Sequence, residues 1–269
     1  MSEKDPSPAP SIPSETYTRE YYETCCQGHE EFSDSGGKRL PLRLSIPLEL
    51  AGVQAGMQVI DIGCGRGEIL LHCAQRGARS WGLDYAREAV VLTRELLGAS
   101  AGALERDLIG VQQANAAQLP FASERADLVF MLDVVEHLYP DELKAALDEA
   151  WRILRPGGRL VVHTMPNLWY YRFGYPVYQM LQRLRGERLP ADPRLRWSFR
   201  HVHVNEQTPA SLRRALKASR FQARVWLAST QSYDYEANPL VRRGMVLLTH
   251  ARPFKWAFCN DIFAIGTKG

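Results

Sequence analysis

The chain has 269 residues, 45% hydrophobic and 23% charged, the balance of a globular protein and not of a disordered, collagenous or disulfide-framed one. No apolar run approaches the roughly 20 residues of a membrane span. The net charge of +3 hides an asymmetry: residues 1–150 hold 13 Lys and Arg against 24 Asp and Glu, and residues 151–269 hold 20 against 6. Seventeen of those 20 are arginine, whose planar fork suits carboxylate or phosphate. The later half therefore either meets an anionic partner or pairs with the acidic first half.

Residues 1–15 are rich in acids and prolines where a signal peptide needs a basic start and an apolar core, so they read as a disordered tail. Five cysteines with no Cys-x-x-Cys pair fit a reduced, cytoplasmic protein. Residues 16–50 read as an irregular helical cap carrying Tyr17, Tyr21 and Tyr22. From there strands and helices alternate. The pattern predicts strands at 58–62, 78–84, 109–114, 126–132 and 159–164, and helices at 68–75, 87–97 and 141–154, with Pro156-Gly157-Gly158 as the stop of the last helix. Residues 166–205 break the alternation as an aromatic, basic insertion, too long for a plain loop. A helix from Thr208-Pro209 to about Ser219, a strand at 221–229, a helix at 239–250 and a strand at 258–267 complete the chain. The expected fold is α/β, a parallel sheet with helices on both faces, and ligands beyond the carboxyl ends of its strands.

Four segments just after strands carry chemistry. In Val59-Ile60-Asp61-Ile62-Gly63-Cys64-Gly65-Arg66-Gly67-Glu68 a buried strand enters a glycine turn and then a helix. Glycines let the backbone adopt positive φ and approach a ligand. A dinucleotide fingerprint wants Gly or Ala at position 68, so Glu68 weakens an NAD-dependent oxidoreductase reading. Asp84 closes the second strand, 21 residues after Gly63, where a carboxylate either accepts ribose hydroxyls or caps the next helix. Asn115 and Ala116 follow the third strand and either meet an adenine edge or form a turn. Leu132, Asp133 and His137 follow the fourth, and His137 is either a general base or a structural residue.

Together VIDIGCGRGE, GLDYA, NAAQLPF, DLVFMLDVVEHL, LRPGG and LVVHTMPN, in that order, resemble a class I S-adenosylmethionine-dependent methyltransferase of the ubiquinone and menaquinone group. The resemblance spans about residues 40–165, with a looser match to the end. It implies an α/β, Rossmann-like, seven-stranded, mostly parallel sheet with the last strand antiparallel, a methyltransferase domain over 51–269 with the insertion 166–205 as a lid, and S-adenosylmethionine as cofactor, leaving as S-adenosylhomocysteine. Asp61, Gly63, Cys64 and Gly65 would surround its methionine part, Asp84 the ribose, Tyr85, Asn115 and Ala116 the adenine, and Leu132 and Asp133 the methionine end. Tyr17, Tyr21 and Arg43 are weaker candidates. The expected activity is O- or N-methylation of a small molecule or natural-product intermediate by direct transfer. A catalytically silent subunit on the same fold is the other alternative.

For the acceptor, the insertion offers Tyr171, Tyr175, Trp197, Arg200 and His203, an aromatic and basic set suited to an anionic or lipid-like molecule. His201 and His203, at i and i+2, would share a strand face. Either can face the acceptor, His201 as a second candidate base, and the pair can ligate zinc, but no third ligand is evident and no metal is expected. Residues 175–185 have the pattern of a basic amphipathic helix suited to a membrane surface. The small net charge argues against nucleic acid. The sequence leaves the oligomeric state open.

Overall fold

The computed structural model describes residues 11–100, 108–196, 200–230 and 238–269. Its sheet has seven strands: β1 Gln58–Ile62, β2 Arg79–Asp84, β3 Ile109–Gln113, β4 Ala126–Leu132, β5 Leu154–Thr164, β6 Gln222–Leu227 and β7 Ile262–Thr267. They lie in the order β3-β2-β1-β4-β5-β7-β6, all parallel except β7, which runs antiparallel to both neighbours. The order reverses between β1 and β4, and that switch point opens a crevice at the carboxyl ends.

Period-two alternation divides the core. Ile60, Ile62, Val129, Met131, Leu160 and Val162 face a cluster with α5 (Pro140–Ile153) and α7 (Pro209–Ala218). Val59, Leu128, Phe130, Leu132 and Val161 face the other side, against α2 (Leu42–Ala51) and α3 (Glu68–Gln75). Strands apolar on both faces are those of a parallel sheet covered twice. The remaining helices are α1 His29–Ser35, α4 Arg87–Ala99, α6 Tyr175–Leu184, α8 Pro239–His250 and α9 Lys255–Phe258. None among the described residues is long and apolar enough to cross a membrane.

Pro156-Gly157-Gly158 lies inside β5 instead of stopping the helix before it. The α5 helix ends at Ile153, and β4 register jumps from Ala126↔Leu154 to Leu128↔Arg159. The extra residues form a bulge, where proline and glycine are tolerated. Lys268 closes it: Gly157 N donates to Lys268 O at 2.8 Å and Lys268 N to Gly158 O at 2.9 Å.

Residues 1–10 of the expected tail lie outside the described residues. Of residues 11–15, also read as tail, Ser11 and Ile12 line the crevice, and Ser14–Thr16 make a 3₁₀ turn. The insertion folds as a π-helical turn at Tyr170–Gly174, then α6, then 3₁₀ turns at Pro193–Arg196 and Arg200–Val202. Asn167 pins its start: its backbone N donates to Asn260 O at 2.9 Å and its Nδ2 to Cys259 O at 3.0 Å.

Candidate active site

A cavity of about 610 Å³ opens at the carboxyl ends of β1, β2 and β4. It falls within the roughly 300–1,000 Å³ typical of small-molecule sites. All ten residues expected at the cofactor line it: Asp61, Gly63, Cys64, Gly65, Asp84, Tyr85, Asn115, Ala116, Leu132 and Asp133. So do the three weaker candidates Tyr17, Tyr21 and Arg43.

The glycine turn is a close-fitting cradle. Gly63 has φ +73°, and a Cβ there would sit 2.4 Å from Val134 Cγ2. Gly67, at φ +85°, caps α3 against Thr93, whose Oγ1 donates to Gly65 O at 2.9 Å. The Cys64 Sγ lies 3.8 Å from Thr93 Oγ1, and burial pushes its thiol well up, which disfavours the reactive thiolate. The α3 N-terminus begins with Glu68, buried with Arg66 at 2.8 Å. A carboxylate therefore stands where a dinucleotide pyrophosphate would need bare N–H groups.

Asp84 accepts from Gly65 N at 3.0 Å and from Ala86 N at 2.9 Å. Burial pushes its carboxyl up to about 6, against the pull of these backbone donors. The Asp84 carboxylate, with these backbone donors on it, lines the cavity. Asp61 lies deeper; burial, then Asp84 and Glu68, hold it well above the carboxylate range. Tyr85 Oη donates to Ile12 O at 3.0 Å, and its ring meets Tyr17 edge-on at 5.6 Å, walling one side. Asn115 Oδ1 accepts from Ala117 N at 2.8 Å, so the turn takes its oxygen and leaves its amide.

The expected methionine end is ionic. Asp133 has φ +55°, uncommon for a non-glycine residue. It is held by Asp133 N donating to His163 O at 3.0 Å and by ion pairs from its carboxylate to Arg43 and to His163 Nδ1. His163 Nε2 lies 3.2 Å from Asp261 Oδ1, and Thr230 Oγ1 donates to that oxygen at 2.8 Å. With a carboxylate at each ring nitrogen, the fully buried imidazole carries both protons. Burial opposes that charge, but Asp133 and Asp261 outweigh it and raise His163 to about 10. Burial likewise opposes the Asp133 carboxylate, yet His163 and Arg43 hold it well below its ordinary value. Arg43 Nε is buried at the cavity with no partner among the described residues.

Where the insertion returns to the sheet stand Glu136, His137 and His203. His137 Nδ1 is 2.9 Å from Tyr17 Oη, and its ring meets His203 at 4.9 Å. Burial, reinforced by His203, holds His137 down at about 3, so it stays neutral at physiological pH. Burial and the Asp133 charge push Glu136 up to about 8, although Thr164 Oγ1 donates to it at 2.7 Å.

The acceptor candidates scatter. Among the described ones, only His203 lines the cavity. Tyr171 packs under Arg194 at 5.4 Å, and Tyr175 is buried within the insertion, its Oη donating to Pro190 O at 2.8 Å. Arg200 and His201 are exposed and off the cavity wall. The strand face expected for His201 and His203 does not form, because Arg200–Val202 fold as a 3₁₀ turn; His201 is exposed while His203 lines the cavity. Trp197 lies outside the described residues.

The motif reading missed several contributors. Arg66 ties the N-terminal segment to the glycine turn, donating to Tyr22 O at 2.8 Å and Gln27 O at 3.3 Å. Glu136, Met165 and Ile12 also face the cavity. A charged residue within the glycine turn, like Arg66, was the available signal; nothing local marks Ile12 or Asp261.

Residues 60–162 match the methyltransferase domain family. Similar curated proteins include the ubiquinone biosynthesis O-methyltransferase of Alkalilimnicola ehrlichii, 31% identical over 46% of this chain and 48% of that one. Another is the O-methyltransferase resE of Aspergillus sclerotiorum, 30% identical over 40% and 39%. The chain spans about half the length of the curated relatives it matches. Among solved structures, geranyl diphosphate methyltransferase in complex with SAM shares the fold, with a TM-score of 0.60 over 90% of this chain and 91% of that one at 16% identity.

Proposed function

Because residues 60–162 belong to the class I S-adenosylmethionine-dependent methyltransferases, we propose that the chain methylates a hydroxyl or amine of a small molecule, with O-methylation favoured. The cofactor of this class is S-adenosylmethionine. The carrying observation is that every residue the resemblance assigns to the cofactor lines one cavity at the strand ends. The site fits the group: the Gly63 cradle has no room for a Cβ, Arg43 Nε is a buried donor without a partner among the described residues, and the Asp84 carboxylate lines the cavity.

When bound, S-adenosylmethionine supplies a methyl group already activated on sulfonium sulfur. Gly63 and Gly65 bring backbone against its methionine part, and Arg43 meets its carboxylate. Asp84 accepts from the ribose hydroxyls, Tyr85 packs on the adenine, and Asn115 and Ala116 meet its edge. The Tyr17, Tyr21 and Tyr22 wall excludes water and fixes the line of approach; such positioning is worth roughly 7–11 kcal/mol of barrier. The acceptor enters on the side of Glu136, His137 and His203. His137, neutral and tied to Tyr17, orients that wall. Glu136, poised at about 8, is the better proton acceptor for a hydroxyl.

O-methylation is supported by the two similar proteins, both O-methyltransferases. The test is transfer of labelled methyl to a panel of hydroxylated and amine acceptors. Labelled product that Glu136→Gln reduces about a hundredfold or more, together with a wild-type rate rising through pH 8, is expected. Tight cofactor binding with no product from any acceptor would favour the silent-subunit alternative.

A further inference from the structure

Exposed large apolar side chains are unevenly placed. Among the described residues, ten of the fourteen lie within 173–184 and 240–256. Phe173, Val177, Met180, Leu181 and Leu184 recur at i, i+4, i+7, i+8 and i+11, the stripe of one helix face. That stripe points outward, with Leu184 at 80% exposure. A buried stripe would have explained the pattern as core; this one is exposed among the described residues.

The second segment adjoins the first. Trp169 and Trp256 pack with centroids 5.2 Å apart, and a Cβ on Gly174 would lie 2.2 Å from Ala257 O. The α8 helix leads into α9 through Lys255 N donating to Ala251 O at 3.0 Å. Leu240, Leu247, Phe254 and Trp256 are exposed there at 47–75%. Residues 168–185 and 238–258 together hold seven Lys or Arg and no Asp or Glu. Six of the seven are exposed.

We propose that α6, α8 and α9 form a docking face for an anionic lipid bilayer. The apolar stripe enters the boundary between headgroups and acyl chains, and the arginines meet lipid phosphates. Trp256 and Phe254 suit the same depth, where aromatic rings collect. Charge selects this occupant. A second copy would bring an equally cationic face against the first. Nucleic acid would match the charge, but Leu, Met and Val offer no stacking platform for bases. The face begins eight residues beyond Met165, a wall of the cavity, so the bilayer would lie beside the lid. The inference stands apart from the methyl-transfer reading.

The test is co-sedimentation of the full chain with vesicles of phosphatidylcholine, and of equal parts phosphatidylcholine and phosphatidylglycerol. Binding to the anionic vesicles alone is expected, weakened about tenfold or more by Met180→Glu with Leu184→Glu. Titration of the variant with S-adenosylmethionine serves as the fold control and keeps a failed face distinct from a failed cofactor site. Vesicle binding that survives the double substitution overturns the insertion, and so does absence of binding to either vesicle. Dimers by sedimentation equilibrium that the same substitutions disperse would assign the face to a second copy. Retention on polyuridylate in place of vesicles would assign it to nucleic acid.

Discussion

Replacing His163 by asparagine removes the cation between Asp133 and Asp261 while keeping a polar side chain of smaller volume. The ring is fully buried, 2.5 Å from one carboxylate and 3.2 Å from the other. Its rise from 6.5 to about 10 means that the folded chain keeps a proton which the unfolded chain sheds above 6.5. The contribution to stability is therefore complete below 6.5 and lost as pH climbs through 10. At ~1.4 kcal/mol per decade of proton affinity it is worth about 4 kcal/mol at pH 7 and about 1 kcal/mol at pH 9.5. The first value agrees with the roughly 3–5 kcal/mol lost when one member of a buried ion pair is removed. Asp84, raised by burial to about 6, gives both proteins the same negative slope below the range compared, whereas Glu136, raised to about 8 by burial and held down in part by His163, titrates within it, so both proteins carry Glu136→Gln and the difference reports His163. Urea unfolding of this pair, with and without His163→Asn, at half-unit steps of pH measures it. A penalty near 4 kcal/mol at pH 7 that shrinks toward pH 9.5 is expected. A penalty that stays constant over this range would refute the buried imidazolium.

Three further outcomes follow from the same geometry. Gly63→Ala forces a left-handed backbone and drives a methyl into Val134, so urea midpoints should report a loss of about 2–5 kcal/mol; a loss under about 1 kcal/mol would contradict the packing. Asp84→Asn should weaken S-adenosylmethionine binding about 10–100-fold at pH 7.5 with the melting temperature kept within a few degrees. In the wild type, affinity should also fall below about pH 6 as Asp84 protonates, a dependence absent in the variant, and calorimetry that finds equal affinities would remove the ribose assignment. Arg66→Gln breaks the tie between the glycine turn and the Tyr22–Gln27 backbone; limited proteolysis should then cut residues 11–28 faster than in wild type.

What the sequence disclosed and what it hid divide along chain distance. The bounds of β1, α3 and β4 follow from apolar runs punctuated by glycine and charge, and the structure repeats them. The glycine turn and Asp84 were readable because each follows its strand directly. Pro156-Gly157-Gly158 misled, since a helix stop and a bulge use the same residues, and only strand pairing tells them apart. His163 lies 30 residues from Asp133 and 98 from Asp261, so no local pattern announces its ion pairs. In the insertion, composition marked aromatic and basic residues correctly as a group. It could not say which face each takes, and Tyr175 turned inward while Leu184 turned out.

The most direct test of the central claim is calorimetric titration of the chain with S-adenosylmethionine, S-adenosylhomocysteine and NAD in parallel. Saturable binding of the first two at micromolar concentration, with no heat from NAD, is the predicted result. Binding of NAD with none of S-adenosylmethionine would contradict the account, because the cavity built by Gly63, Asp84 and Arg43 would then serve a different cofactor.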